Sequence, residues 1–160
     1  MVKYLTLLLF VLFIGCEMNS EQLIKSENIN FENIKFNAVS KDLKFTNIEE
    51  GPEVETTKKL VKDWFNNNVK VDGFDGNLSI NVTSIVINKL KKDEYYRFEI
   101  NISIEFLETN EVLNKRKIYK INSIEYGDID GSFSIKDTEN LNKNIISNSL
   151  KSINQKVSGM

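Results

Sequence analysis

The 160-residue chain contains no histidine, a single cysteine and a single proline. Without histidine, neither a Ser-His-Asp triad nor a Cys-His pair can form, and zinc sites that use imidazole ligands are excluded as well. The sequence also lacks a serine in a nucleophile-elbow pattern and a glycine-rich phosphate loop. We therefore expect a protein that is not an enzyme and that uses no cofactor and no metal ion.

The charge balance excludes a further class of function. The chain carries 21 basic and 23 acidic side chains and a formal net charge of −2, so no basic excess favours nucleic-acid binding. Glu99 and Glu105 lie on the polar side of one predicted strand, six residues apart. A strand separates such residues by about 20 Å, which is too far for a glycosidase carboxylate pair.

The one long apolar run lies at the N-terminus. It covers residues 4–14, follows Lys3 and precedes Gly15 and Cys16. Its eleven residues are too few for a transmembrane helix, which needs about 20. An ordinary secretory signal with cleavage elsewhere is the alternative, but the order Phe-Ile-Gly-Cys at residues 13–16 resembles a lipobox. We therefore predict that residues 1–15 are a lipoprotein signal peptide and that Cys16 is acylated.

The single cysteine agrees with a lipid anchor at Cys16, and the residue after it indicates which membrane the anchor would enter. A single cysteine in an exported protein cannot form an internal disulfide, and acylation explains its presence. The next residue is Glu17 rather than the aspartate that retains bacterial lipoproteins in the inner membrane, so the resemblance favours the outer membrane, with the domain facing the periplasm. We predict a lipidated N-terminus and polar tether over residues 16–28 and a single α+β domain over residues 29–157.

The first half of the predicted domain contains strands and one helix. Alternating apolar residues indicate a first strand over residues 29–39, and residues 40–50 are either a loop or a second short extended segment. The Gly51-Pro52 pair predicts the start of a helix, because proline suits its first turn. Trp64 lies on the apolar stripe of this helix, and we interpret it as a core residue rather than a partner-binding hot spot.

Three further strands are expected. The first, residues 78–87, changes phase near Thr83-Ser84, which indicates a β-bulge. The second, residues 96–106, alternates apolar and polar positions, as is typical of an antiparallel sheet covered on one side. Residues 108–111 predict the following turn. The third strand, residues 112–126, places Ile118, Ile124 and Tyr126 in one phase.

The chain closes with a turn and a helix. Residues 127–131, GDIDG, predict a turn, because they lack the further ligands of a calcium loop. An apolar stripe over residues 138–157 predicts a helix capped by Ser134 or Asp137. The order β-α-β-β-β-α predicts an α+β two-layer sandwich: a four-stranded, mostly antiparallel sheet with two helices on one face. Its first two strands, joined through a helix, should run parallel.

This layout resembles the lipopolysaccharide-assembly lipoprotein family LptE. The local similarity lies in the alternating strand YYRFEINISIEF, the turn ETNE, the return strand KRKIYKINSIEY and the closing helix TENLNKNIISNSLKSI. The resemblance implies a protein held inside the lumen of an outer-membrane β-barrel protein, LptD. There it would help to assemble the barrel and contact lipopolysaccharide.

Three consecutive basic residues, Lys115, Arg116 and Lys117, form what we call the basic cluster. If the resemblance holds, they are the candidate ligand-binding residues for the phosphate groups of lipopolysaccharide. The alternative, and the commoner role of such a run, is that of solvated strand-end residues that discourage edge aggregation. An accessory lipoprotein of a periplasmic transporter, another envelope lipoprotein with a similar sandwich and a peptidoglycan-recognising protein stay open as functions, because fold alone cannot separate them.

Overall fold

The structure is a computed structural model that describes residues 31–159. The predicted signal peptide, Cys16 and the tether lie outside the described residues, so those boundaries stay predictions. In chain order the elements are β1 (Ile34–Phe36), β2 (Ser40–Phe45), α1 (Pro52–Asn68), β3 (Val69–Val71), β4 (Asn77–Lys92), β5 (Tyr95–Asn110), β6 (Lys115–Asp130) and α2 (Ile135–Ser158).

The main sheet has four strands in the order β2-β4-β5-β6. Strand β2 runs parallel to β4, while β5 is antiparallel to both of its neighbours. The predicted fold class is confirmed, and its order β-α-β-β-β-α corresponds to β2, α1, β4, β5, β6 and α2. The first strand of this sheet lies in residues 40–50, the segment that the sequence left open between a loop and a strand.

A small second sheet was not predicted. Strands β1 and β3 pair in parallel, with Ile34 opposite Val69 and Phe36 opposite Val71. The pairing continues into the next turn, where the backbone N–H of Asp72 donates to the carbonyl of Phe36. The predicted first strand over residues 29–39 was therefore wrong in its partner, because β1 belongs to this two-stranded sheet and not to the main one.

Three long strands give the molecule two well-separated ends. Strands β4, β5 and β6 each contain 16 residues, so the sheet is about 50 Å long. The predicted bulge is confirmed, since the pairing of β4 with β5 shifts register between Val82 and Ser84. A bulge bends and twists a strand locally, which lets a long strand keep its apolar side on the helices.

Both helices cover the same face of the sheet. Their buried side chains pack against the inward residues of β4 and β5 in one core. Trp64 is only 1% exposed, and its indole N–H donates to Asn154 Oδ1 at 2.8 Å, which ties α1 to α2. Its interpretation as a core residue is confirmed. The largest fully buried side chains are Trp64, Phe98, Phe106, Leu78, Ile80, Ile100, Ile102, Ile104, Ile146, Leu150, Ile153 and Val61.

Two predicted turns are displaced. Residues 108–110 still belong to β5, and the turn follows at residues 111–114. The turn predicted for residues 127–131 was wrong for its first four residues, which continue β6 and pair with Tyr95–Phe98. A Cβ atom at Gly127 would lie 2.8 Å from Ile145 Cδ1 and 2.9 Å from Leu141 Cδ1. This glycine therefore serves close packing of α2 on the strand rather than a turn.

The start of α2 is fixed by a capping box. The Ser134 hydroxyl accepts from the backbone N–H of Asp137, and the Asp137 carboxylate accepts from the backbone N–H of Ser134. The helix begins at Ile135, three residues before the predicted start, and Ser134 is its N-cap as one of the two predicted alternatives. Such reciprocal bonds satisfy two backbone donors that would otherwise lack partners.

Candidate functional site

The β5–β6 hairpin and the loop before β4 meet at one end of the sheet. We call residues 72–76 and 110–117 together the tip. In the hairpin turn, Asn110 Oδ1 accepts from the backbone N–H of Leu113 at 2.7 Å. Asn114 has φ 47°, a left-handed conformation that asparagine tolerates better than most residues. Local polar groups therefore define the turn.

The loop is fastened to the hairpin by backbone contacts. Asp75 Oδ2 accepts from the backbone N–H of Val112 at 2.9 Å. Gly76 has φ 84°, and a Cβ atom there would lie 1.8 Å from the carbonyl oxygen of Thr109. Only glycine fits both the left-handed backbone and this close approach. The two segments of the tip consequently form one unit.

The tip presents three apolar side chains to solvent. Phe74 is 102% exposed, Val112 81% and Leu113 60%. These three residues were not predicted as candidates from the sequence. The sequence does contain a sign of their exposure. Phe74 lies inside VDGFDGN and the pair Val112-Leu113 inside ETNEVLN, and both are turn-like segments in which polar residues are the usual ones. Apolar residues in a polar turn contribute nothing to the core and are therefore candidates for binding.

The basic cluster begins β6, directly behind this turn. All three side chains are exposed, and because they are consecutive on a strand they alternate between the two faces of the sheet. Lys117 Nζ lies 4.0 Å from Glu108 Oε2, whereas Lys115 and Arg116 form no salt bridge within residues 31–159. The structure thus brings the cluster to the tip, with Lys115 and Arg116 available for an anionic partner.

The described chain begins in the same half of the molecule. The carbonyl of Phe31 accepts from Asn68 Nδ2 at the end of α1, and that of Glu32 accepts from Asn154 Nδ2 near the end of α2. Residues 33–37 line a groove of about 300 Å³ together with Glu108 and Lys117. Residues 33–37, near the start of the described chain, therefore lie in the half of the molecule that contains the tip.

A second surface is the face of the sheet that the helices leave uncovered. The predicted common phase of Ile118, Ile124 and Tyr126 is confirmed, and all three are exposed on this face. The Arg97 guanidinium lies over the Tyr126 ring, 4.4 Å from its centroid. Strand β6 is an edge of the main sheet along its full length. The Asn122 carbonyl of this strand accepts from Lys156 Nζ at 2.7 Å, and within residues 31–159 no further strand pairs with this edge.

The carboxylates on the uncovered face bind neighbouring side chains. Glu99 accepts from Asn88 Nδ2 at 3.0 Å, and Glu105 Oε2 lies 3.3 Å from Lys120 Nζ. Residues 31–159 contain no group of three or more acidic, cysteine or histidine side chains that could hold a metal ion. None of the helices between residues 31 and 159 combines the length and the apolarity needed to cross a bilayer.

One lysine near the tip has an internal role. Lys41 Nζ donates to the carbonyls of Phe65 and Val69 at the end of α1 and lies 4.4 Å from the Phe65 ring centroid. Partial burial, followed by the charge of Lys70, lowers the pKa of Lys41 below its usual 10.5. Because its donors are already used on the helix C-terminus, we assign Lys41 to helix capping.

No protein-family model matches the sequence, and no curated protein matches it. Among solved structures, a minor lipoprotein from Acinetobacter baumannii is similar with 13% identity and a TM-score of 0.42, over 74% of this chain and 90% of that one. The rare lipoprotein B from Shewanella oneidensis is similar with 10% identity and a TM-score of 0.37, over 74% and 89%. The lipoprotein B from Nitrosomonas europaea is similar with 11% identity and a TM-score of 0.40, over 82% and 92%.

These three structures are lipoproteins. At such identities and TM-scores, the similarities carry no information about a particular function.

Proposed function

We propose that this chain is a non-enzymatic lipoprotein of the bacterial outer membrane. Cys16 anchors it, and it acts by binding a β-barrel protein, as the resemblance to the LptE family implies. The observation that carries the proposal is the combination of an N-terminal lipobox with a domain that leaves one sheet face and one long sheet edge uncovered. A lipid anchor fixes the place, and the uncovered sheet supplies the binding surface.

The uncovered sheet supports a protein partner for a physical reason. The 16-residue edge strand β6 can offer backbone donors and acceptors to another chain, apart from the Asn122 carbonyl, which accepts from Lys156. Beside that edge, Ile118, Ile124 and Tyr126 add apolar area on the open face. Charged residues on β6 can protect this edge in a monomer, and a partner chain that pairs with it would cover both the edge and the apolar residues of the open face.

The basic cluster is our candidate for contact with the phosphate groups of lipopolysaccharide. Lys115 and Arg116 carry charges without a salt bridge in the described part of the chain, and charged donors bind phosphate strongly. Replacing all three residues by glutamine should weaken lipopolysaccharide binding in a pull-down while leaving the thermal unfolding midpoint unchanged. Unaltered binding would assign the cluster to edge protection instead.

The protein partner can be tested by site-specific photo-crosslinking in intact cells followed by co-purification in detergent. A crosslinking amino acid at Ile124, on the open face, should capture a large outer-membrane barrel protein at equal stoichiometry. The matched control is Lys59, which is exposed on α1 in the helix layer. Capture of an inner-membrane transporter component at Ile124 would favour the accessory-lipoprotein alternative, and equal capture at both positions would reject the open face as the interface.

A further inference from the structure

We infer that the tip is a membrane-contact element: Phe74, Val112 and Leu113 enter the surface of an anionic phospholipid bilayer, and Lys115 and Arg116 bind its headgroups. The inference rests on the proposed anchoring at Cys16, but not on a barrel partner or on lipopolysaccharide. Its basis is the placement, at one end of the sheet, of three exposed apolar side chains and of two cations that form no salt bridge in the described part of the chain.

The apolar residues are suited to shallow insertion. They occupy a turn and a loop, so no other part of the domain would have to enter the lipid. Asp75 and Gly76 hold the two segments together, so the three side chains are presented as a set with little loss of conformational freedom on binding. Burial of apolar side chains in the interfacial region of a bilayer is favourable in proportion to the area buried.

The tip contains both basic and acidic side chains, so only part of it favours binding to an anionic surface. Lys115 and Arg116 follow the turn directly, while Lys117 is near Glu108. The acidic side chains at this end are Asp72, Asp75, Glu108 and Glu111, and Asp75 is turned towards the backbone of Val112. We therefore expect the apolar residues to provide most of the binding, and Lys115 and Arg116, which form no salt bridge within residues 31–159, to raise it on anionic lipid.

The tether permits this contact. Fourteen residues, 17–30, separate the predicted anchor from Phe31, and an extended chain of that length reaches at most about 50 Å. The domain begins in the half of the molecule that contains the tip, as the groove shared by residues 33–37 and Lys117 shows. A bilayer that holds Cys16 is therefore within reach of Phe74, Val112 and Leu113.

The single cysteine allows a direct test. Residues 16–160 would be coupled through the Cys16 thiol to a maleimide lipid in phosphatidylethanolamine and phosphatidylglycerol vesicles that contain brominated acyl chains. Bromine quenches tryptophan only at bilayer depth, and the native Trp64 is buried and contributes the same background in every variant. The probe is Leu113→Trp. Its matched control is Ile135→Trp, at a position 75% exposed near the opposite end of the sheet.

We expect strong quenching and a blue-shifted emission for Leu113→Trp and neither for Ile135→Trp. Equal quenching of the two variants would overturn the inference, because the tether alone would then explain the proximity to lipid. Absence of quenching in both would overturn it as well. Quenching of Leu113→Trp that required added lipopolysaccharide would identify a lipopolysaccharide-binding loop and reject a bilayer contact.

The contribution of charge is measured on the uncoupled chain by vesicle sedimentation. Lys115→Gln with Arg116→Gln should lower partitioning onto anionic vesicles by about fivefold for each charge and leave binding to phosphatidylcholine vesicles unchanged. Lys92→Gln with Lys136→Gln is the control of equal charge change at the other end. An equal loss in this control would mean that the attraction is a property of the whole surface, and would contradict a headgroup site at the tip.

Discussion

The two ends of the long sheet are built by the same kind of element, a β-hairpin, but they differ in chemistry. At the far end, β4 and β5 are joined through Asp93 and Glu94, and the carbonyl of Glu94 accepts from the backbone N–H of Gly131. At the tip, β5 and β6 are joined through residues 111–114, which expose Val112 and Leu113. Both turns close equally long strands, so folding alone does not account for apolar residues at only one of them. Ile135 is exposed near the far end as well, but on a helix, so the difference between the two turns supports the proposed binding role of the tip.

The largest difference between the ends is expected for their glycines with positive φ. Gly76→Ala at the tip combines a left-handed backbone with a backbone clash against Thr109, so we expect a loss of at least about 3 kcal/mol in the free energy of unfolding. Gly131→Ala at the far end has the same kind of φ but open space for the Cβ atom. It should cost only about 1 to 2 kcal/mol. Equal losses in urea denaturation would show that the tip is not held by this close approach.

The next difference concerns one buried and one accessible hydrogen bond. Trp64→Phe removes the donor of Asn154 Oδ1 inside the core, and together with the lost volume it should cost about 2 to 3 kcal/mol. Tyr96→Phe removes the donor of Asn142 Oδ1 near the far end, but Asn142 is half-buried and water can replace the hydroxyl. We expect less than about 1 kcal/mol there. Denaturation curves in which Tyr96→Phe proves the more damaging variant would contradict this ranking.

Acid should weaken both ends through carboxylates whose pKa is lowered in the folded chain. A hydrogen bond from Lys89 lowers the pKa of Glu53 towards the far end, and one aspartate adds to this effect at each end. Hydrogen bonds from Asn77 and Ser79 lower the pKa of Asp42 beside the tip, and a hydrogen bond from Ser134 lowers the pKa of Asp137 at the far end, both from an ordinary value of 3.8. A lowered folded-state pKa stabilises the fold above the unfolded value, and the contribution disappears as the pH falls through the folded value. The free energy of unfolding should be level down to about pH 5 and fall below about pH 4.

The pH dependence can be divided between the ends by substitution. Asp42→Asn and Asp137→Asn should each lower stability at neutral pH and reduce the fall in acid, because the group that titrates is gone. Thermal unfolding midpoints measured across this pH range would give the two contributions. If a variant lost as much stability in acid as the unmodified chain does, the replaced carboxylate would not be a source of that loss.

The smallest effect on stability is expected for the apolar residues of the tip. Val112→Ser combined with Leu113→Ser changes only exposed side chains, so the free energy of unfolding should move by less than about 0.5 kcal/mol. The same variant should lose most of its vesicle binding, whereas Ile135→Ser should change neither property. A large loss of stability in the double variant would show that the turn residues serve folding, and the contrast between the two ends would then disappear.

Local signals explain which parts of the fold were predictable. The alternation over residues 96–106 directly defined β5, and the phase change at Thr83-Ser84 defined the bulge. The β1–β3 pair was not predicted, because each strand has three residues and their pairing joins segments that are distant in sequence. Most of the segment GDIDG was mistaken for a turn, since Gly127 is required by packing of α2 and only Gly131, with φ 87°, has a turn backbone.

Only the basic part of the candidate site could be predicted from the sequence. Three consecutive charges drew attention to Lys115, Arg116 and Lys117, and the structure places them at the base of the tip. Phe74 was missed because the exposure of a single apolar residue between turn residues depends on the tertiary fold. It becomes a candidate only once the loop before β4 is seen to meet the β5–β6 turn through Asp75.

We propose that an acylated Cys16 holds this domain at the membrane. Cells that express the chain can be fed an alkyne analogue of palmitate, and the purified protein can be examined for label and for its N-terminal residue. We predict a labelled chain that begins at residue 16 and fractionates with the outer membrane, and an unlabelled, uncleaved chain for Cys16→Ser. An unlabelled protein recovered from the cytosol, with residues 1–15 still attached, would contradict the account.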